Sequence, residues 1–319
     1  MNEIIFEYNE PFYVEVNKES DGERVDKYLA DMLSSFSRSQ LQKLIKDEKV
    51  QVASSAASDA IYKTVKANYK LREGENISVI IPEPEELHIV PENIPLDILY
   101  EDDDLVVVNK PKGMVVHPAP GHYNGTLVNA LMYHCRDNLS GINGILRPGI
   151  VHRIDMDTTG ALVVCKNDFA HQALSEQLKV HSITRHYEAI CYGTFDSKTG
   201  TVDAPIGRSP SDRKKMAIVK NGKNAVTHYE VLESFEKFSY IRCTLETGRT
   251  HQIRVHMSSI GHPLLGDELY CPNKAPYKLQ GQTLHARILG FIHPRTGQYM
   301  EFEAPLPYYF NQLLCKIKY

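Results

Sequence analysis

Residues 82–104 carry nine acidic side chains, no lysine or arginine, and prolines at 82, 84, 91 and 95. Proline removes backbone donors and like charges repel, so such a stretch favours an extended, solvated connector over a packed core. It divides the 319 residues in two, and a chain of this length suits two cores better than one. The organisation predicted is a small module over 18–81, an acidic proline-rich linker over 82–95 and a large domain over 96–319. A long surface loop inside one domain is the competing reading.

The net charge of −4 hides an uneven distribution. Residues 1–17 hold four acids and no base, whereas residues 105–319 hold 25 lysines and arginines against 17 acids. The large domain is therefore basic, as a phosphate-binding surface requires, whatever the whole-chain balance. The six cysteines are widely spread with no Cys-x-x-Cys, which argues against a disulfide framework or zinc knuckle and fits a reducing cytoplasm. No apolar run approaches the ~20 residues that span a bilayer, and Met1 to Ile5 has no secretory-signal pattern. A cytoplasmic monomer without membrane association is expected.

In the first part, Val25, Tyr28, Leu29, Met32 and Leu33 repeat at helical spacing. Ser37-Arg38-Ser39-Gln40 has the form of a capping box, opening a second helix with Leu41, Leu44 and Ile45 on one face. Lys43 and Lys46 would project from it with Arg38 at its start, a basic edge whose plain reading is a solvated helix face. Val50 and Val52 suggest a short strand, and Ile77, Val79 and Ile81 a second after the Glu73-Gly74 turn. Two short helices with a basic edge and a small sheet resemble the alpha-L type RNA-binding module. Ala53 to Ile61 departs from that module's tight turn.

In the second part, Gly149-Ile150-Val151-His152-Arg153-Ile154-Asp155-Met156-Asp157-Thr158-Thr159-Gly160-Ala161-Leu162 reads as strand, polar loop, strand. One arginine and two carboxylates between rigid flanks suit catalysis. If Asp155 is a nucleophile the chain is an enzyme; if it only caps the turn, the chain is a binding protein. Other segments stand out. Asn109-Lys110-Pro111-Lys112-Gly113 follows a strand. Thr184 to Ala189 places Tyr187 on a strand entry, where a tyrosine is either core or a stacking platform. In Thr247 to Met257, Thr250 is predicted to cap a helix with Ile253, Met257 and Ile260 as its buried stripe. Arg254 in its first turn meets an unfavourable dipole unless a carboxylate lies opposite, and Asp155 is the candidate. Short strands interspersed with a few helices predict an α+β fold with a mixed, mainly antiparallel sheet.

Taken in order, the Lys-Pro-x-Gly turn, His152-Arg153-Ile154-Asp155-x-x-Thr158-Thr159-Gly160, the Tyr187 strand, Gly248-Arg249-Thr250-His251-Gln252-Ile253-Arg254 and Ala304-Pro305-Leu306-Pro307 resemble the RluA-type pseudouridine synthases. The branch most similar is the RluD-like one that modifies large-subunit (23S) ribosomal RNA. Thr159 and His186 stand where the family more often has serine and lysine. The resemblance implies isomerisation of uridine in RNA to its carbon-linked form, with ribosomal RNA or a pre-ribosomal particle as partner. It implies Asp155 as the essential carboxylate, attacking the base or sugar or taking a ribose proton. Arg254 becomes its buried partner, Tyr187 the platform for the uracil, and Arg153 the side chain that fills the gap left by an everted base. No dinucleotide fingerprint or phosphate loop is present, and His251 and His256 do not share a helix face, so neither cofactor nor metal is expected. The rival readings are a non-catalytic RNA-binding assembly factor and a glycosylase that releases free uracil.

Overall fold

The computed structural model describes every residue other than 1–5, 34, 35, 58, 84–88, 120, 137, 143–146, 272–274 and 319. The chain forms two compact units, Met1–Glu86 and Leu87–Tyr319.

The first unit comprises β1 (Pro11–Glu15), α1 (Val25–Met32), α2 (Arg38–Lys46), β2 (Val50–Ala53), β3 (Lys63–Thr64) and β4 (Asn76–Ile80). Its antiparallel sheet runs β1-β4-β2-β3, so the unit begins ahead of residue 18. Ser37 and Gln40 form the reciprocal capping box that starts α2. Leu29, Leu41, Leu71, Ile77 and Val79 are fully buried between the helices and the sheet. The carboxylate of Asp26 is also fully buried, and it accepts hydrogen bonds from Arg24, Arg38 and Gln42. Burial opposes its charged form, but those bonds from Arg24, Gln42 and Arg38 win and hold the pKa at about 2. Arg38 thus ties α2 to α1, while Lys43 and Lys46 are exposed and carry no such partner in the described contacts. Residues 54–57 and 59–61 connect β2 to β3 over the surface.

The second unit comprises β5 (Ile98–Glu101), β6 (Leu105–Lys110), α3 (Leu127–Cys135), β7 (Thr159–Cys165), α4 (Asp168–Lys179), β8 (Thr184–Tyr192), β9 (Thr199–Asp203), β10 (Ile206–Arg208), β11 (Met216–Ile218), β12 (Val226–Ser234), β13 (Phe238–Leu245), α5 (Gln252–Ser259), β14 (Leu284–Ile292), β15 (Tyr299–Glu303) and α6 (Tyr308–Lys318). The large sheet runs β5-β6-β7-β14-β8-β13-β12-β9, with β15 also on β14, and β10 and β11 form a separate hairpin. β14 meets β7 in parallel at one end and β15 antiparallel at the other; the remaining ladders are antiparallel. Both faces of the sheet are covered. Val106, Val108, Leu162 and Val164 join the core with α3 and α5, while Leu105, Val107, Val163 and Cys165 pack with Ala170 and Leu174 of α4. That is why β6 and β7 read as unbroken apolar runs.

Two expectations change. Ile150 and Val151 form no strand; Ile150 makes a single bridge to Val164. The later part of the predicted linker is exposed at Val90, Pro91, Asn93 and Pro95 but is anchored to the second unit: Ile89 is buried, Asn129 Nδ2 donates to Val90 O at 2.9 Å, and Gly125 N donates to Glu92 at 2.9 Å. Residues 84–88 of that stretch lie outside the described residues. No described helix is long and apolar enough to cross a membrane.

Candidate active site

The loop ahead of β7 is fixed from three sides. Lys110, 1% exposed at the end of β6, donates to the carbonyls of Pro111, Met114 and Met156 at 2.8, 2.8 and 2.9 Å. Burial pushes its ammonium down to about 7, yet three carbonyl acceptors take up its three protons and favour the charged form. Gly113 N also donates to Met156 O, so the Lys-Pro-x-Gly turn is the clasp of the loop. His152 Nε2 accepts from Val163 N at 3.1 Å, and Thr158 N donates to Asp155 O. At the seam of β7 and β14, Gly160 has φ +110°, and a Cβ there would lie 2.2 Å from Ala286 O. Only glycine permits that approach.

This clasp presents Asp155 to the start of α5. Arg254 Nη1 donates to Asp155 Oδ2 at 2.8 Å, while its Nε and Nη2 donate to Asp267 at 2.7 and 2.9 Å. The fork geometry of guanidinium permits both pairings at once. Burial opposes the charge on Arg254, but Asp267 and then Asp155 overcome it and raise its pKa. Asp267 is 1% exposed and also accepts from Leu269 N and Tyr270 N. The Tyr270 ring lies 5.1 Å from the Arg254 guanidinium carbon.

Helix α5 does not start where Thr250 predicts. His251 is the N-cap residue, in the left-handed region at φ 57°, and its side chain makes no capping bond. Residues 252–257 are all buried, and Ile260 is not part of the buried stripe. Gln252 explains the anchorage: it donates to Val226 O and Thr227 Oγ1 and accepts from Arg249 N and Thr247 Oγ1. Its amide is thereby satisfied in the core. His256 is likewise internal, with its ring nitrogens on Thr227 Oγ1 and Ala204 O.

Arg153, Asp155, Tyr187, Arg249, His251 and Arg254 line one cleft of about 60 Å³. Arg153 is exposed at its rim and Tyr187 is buried in its wall. Burial pushes the Tyr187 phenol up, Arg185 opposing and Asp155 adding to the shift, which suits a ring platform better than a base. The structure thus brings Asp155, Arg254, Tyr187 and Arg153 together. Arg38, Lys43 and Lys46 belong to the other unit. In the sequence, Asp267 and Tyr270 carry no motif signal and Lys110 suggests only a turn; the acidic pair Asp267-Glu268 directly after Leu264-Leu265-Gly266 is the one local hint of Asp267.

The chain, with its basic-rimmed cleft around an arginine-bound carboxylate on a mainly antiparallel sheet, belongs to a class of RNA-modifying enzymes, the RNA pseudouridine synthase family. The family model described as RNA pseudouridylate synthase matches residues 104–259. A Bacillus subtilis (strain 168) protein described as the uncharacterized RNA pseudouridine synthase YlyB is 55% identical over 294 residues, covering 92% of this chain and 94% of the relative. Ribosomal large subunit pseudouridine synthase D of Zymomonas mobilis is 49% identical over 303 residues, covering 92% and 93%. The solved structure of human RNA Pseudouridylate Synthase Domain Containing 4 matches with a TM-score of 0.54 at 29% identity, over 69% of this chain and 92% of that one. The protein is accordingly an isomerase that acts on RNA.

Proposed function

We propose that this enzyme isomerises uridines of large-subunit ribosomal RNA, free or in a pre-ribosomal particle, and that Asp155 is its essential carboxylate. The observation that carries the reading is the 2.8 Å pairing of Arg254 with Asp155 inside a cleft that also contains Tyr187. The similarity to proteins named ribosomal large subunit pseudouridine synthase D supports the choice of RNA.

In this reading a uridine leaves its stack at a cost of a few kcal/mol, least in a loop or strained helix. Its ring rests on Tyr187, and Arg153 fills the space it vacates. The bond from ribose C1′ to N1 breaks, the base rotates, C1′ bonds to C5, the C5 proton is released, and N1 takes up a proton, so the change is an isomerisation. Asp155 needs to be held in a fixed orientation to act on sugar or base, and the bond from Arg254 Nη1 supplies that. Arg38, Lys43 and Lys46 contribute RNA contacts from the first unit, Arg38 with one side of its guanidinium already committed to Asp26. A monomer working in the cytoplasm fits this role.

Pseudouridine mapping of ribosomal RNA from cells with and without the protein tests the substrate. Loss of defined large-subunit sites is expected. An unchanged large-subunit pattern, or loss only from small-subunit or transfer RNA, contradicts the reading.

A further inference from the structure

His251 combines three features that helix initiation does not require. Its backbone sits in the left-handed region at φ 57°, a conformation that costs a non-glycine residue energy. Its imidazole leaves the helix end uncapped and turns into the cleft. Its two ring nitrogens face different partners: Nδ1 lies 2.7 Å from Tyr270 Oη, and Nε2 lies 3.9 Å from Asp155 Oδ1.

The hydrogen-bond chain favours one tautomer. Met216 N, an amide that only donates, gives its proton to Tyr270 Oη at 2.8 Å. Among the described residues the acceptor within reach of the phenol proton is His251 Nδ1. An imidazole that accepts at Nδ1 carries its proton on Nε2. That N–H faces Asp155 Oδ1, the carboxylate oxygen not taken by Arg254, whose bond is to Oδ2. Burial disfavours the imidazolium, Asp155 and Asp267 opposing and Arg254 and Arg153 reinforcing it, in keeping with a neutral donor.

We propose that His251, locked by Tyr270 as its Nε2–H tautomer, is a second positioning residue for Asp155. Arg254 fixes one carboxylate oxygen, and the imidazole steadies the other when the cleft tightens around RNA. At 3.9 Å the contact is too long for a hydrogen bond in the free enzyme, and catalytic contacts commonly shorten on substrate binding. The inference rests on Asp155 being the essential carboxylate, and its test separates the two.

Histidine ¹⁵N spectra of the full-length protein, with His251 assigned from His251→Gln, read the tautomer directly. The Nε2–H form is expected in the wild type, and loss of that single form in Tyr270→Phe. In single-turnover assays on ribosomal RNA, His251→Ala is expected to slow isomerisation about 10-fold or more, the scale of one bond to a charged group, with RNA affinity changed less than about twofold. His251→Gln, which places an N–H near the Nε2 position, is expected to recover most of the rate. An Nδ1–H tautomer in the wild type, an undiminished alanine variant, or a glutamine variant no faster than alanine overturns the inference. Asp155→Asn stays inactive in each of those cases unless the proposed role of Asp155 is itself mistaken.

Discussion

Arg254 serves two carboxylates with one guanidinium, and the order of strength matters. Asp267 takes two of its nitrogens and is buried; Asp155 takes one and faces the cleft. The buried pair sets where the arginine sits, and the arginine then sets where Asp155 sits. Removing one member of a buried pair costs about 3–5 kcal/mol where the other charge is stranded, which is an upper bound for Asp267 because Arg254 keeps its bond to Asp155. Asp267→Ala is therefore expected to lose stability up to that bound in urea titrations, while Asp267→Asn, still able to accept from Leu269 N and Tyr270 N, is expected to lose clearly less. Equal losses from both variants would show that shape, not charge, matters there. The pairing of Arg254 with Asp155 was legible in the sequence, because an arginine at a helix start calls for an anion opposite. Asp267 was not, because a buried acid in an irregular segment has no periodicity to announce it. The N-cap is obscured for a related reason: Thr250 has the better capping side chain, and nothing local in the sequence signals the left-handed backbone of His251.

Among the elements, the seam between β7 and β14 binds the loop to the rest of the sheet. Gly160 allows the close approach, and His285 bridges it, with Nδ1 on Thr159 Oγ1 at 2.7 Å and Nε2 on Ala304 O at 3.1 Å. Both contacts suit a neutral ring, and burial holds the His285 pKa near 4. His152, which clasps β7 at Val163 N, is held by burial near 3. Both values lie below the ordinary 6.5 of the unfolded chain, so as pH falls the unfolded state takes up protons first. Stability present above pH 6.5 is then lost progressively toward pH 4 for His285 and pH 3 for His152. The unfolding free energy from urea titrations is expected to drop between pH 7 and pH 5, by on the order of 2 kcal/mol for each histidine. A flat profile across that window would mean that these rings accept protons without disturbing the seam. Strands β8 and β12 to β15 were readable from their composition and turns. Residues 150–151 were not a strand, because a lone apolar pair finds only one bridge partner. Helix α6 has helically spaced Phe310, Leu313 and Ile317, but Pro305 and Pro307 just before it obscure its start in the sequence.

For the whole molecule, the charge division along the chain matters more than its sum. The second unit carries the cleft and the basic surplus, and the first offers Lys43 and Lys46 on the exposed side of α2. If those lysines meet phosphates, Lys43→Ala/Lys46→Ala weakens RNA binding without regard to sequence. The slope of log affinity against log salt then becomes shallower by about 1–2. An unchanged slope would make them a solvated helix face. The account as a whole depends on the carboxylate in the cleft of the second unit, and tritium release from carbon-5-labelled uridine in ribosomal RNA measures its work most directly. Asp155→Asn, which keeps the side chain's shape and removes its charge, is expected to abolish release while RNA binding and melting temperature stay near wild type. Release at a rate close to wild type from a folded Asp155→Asn protein would contradict the account.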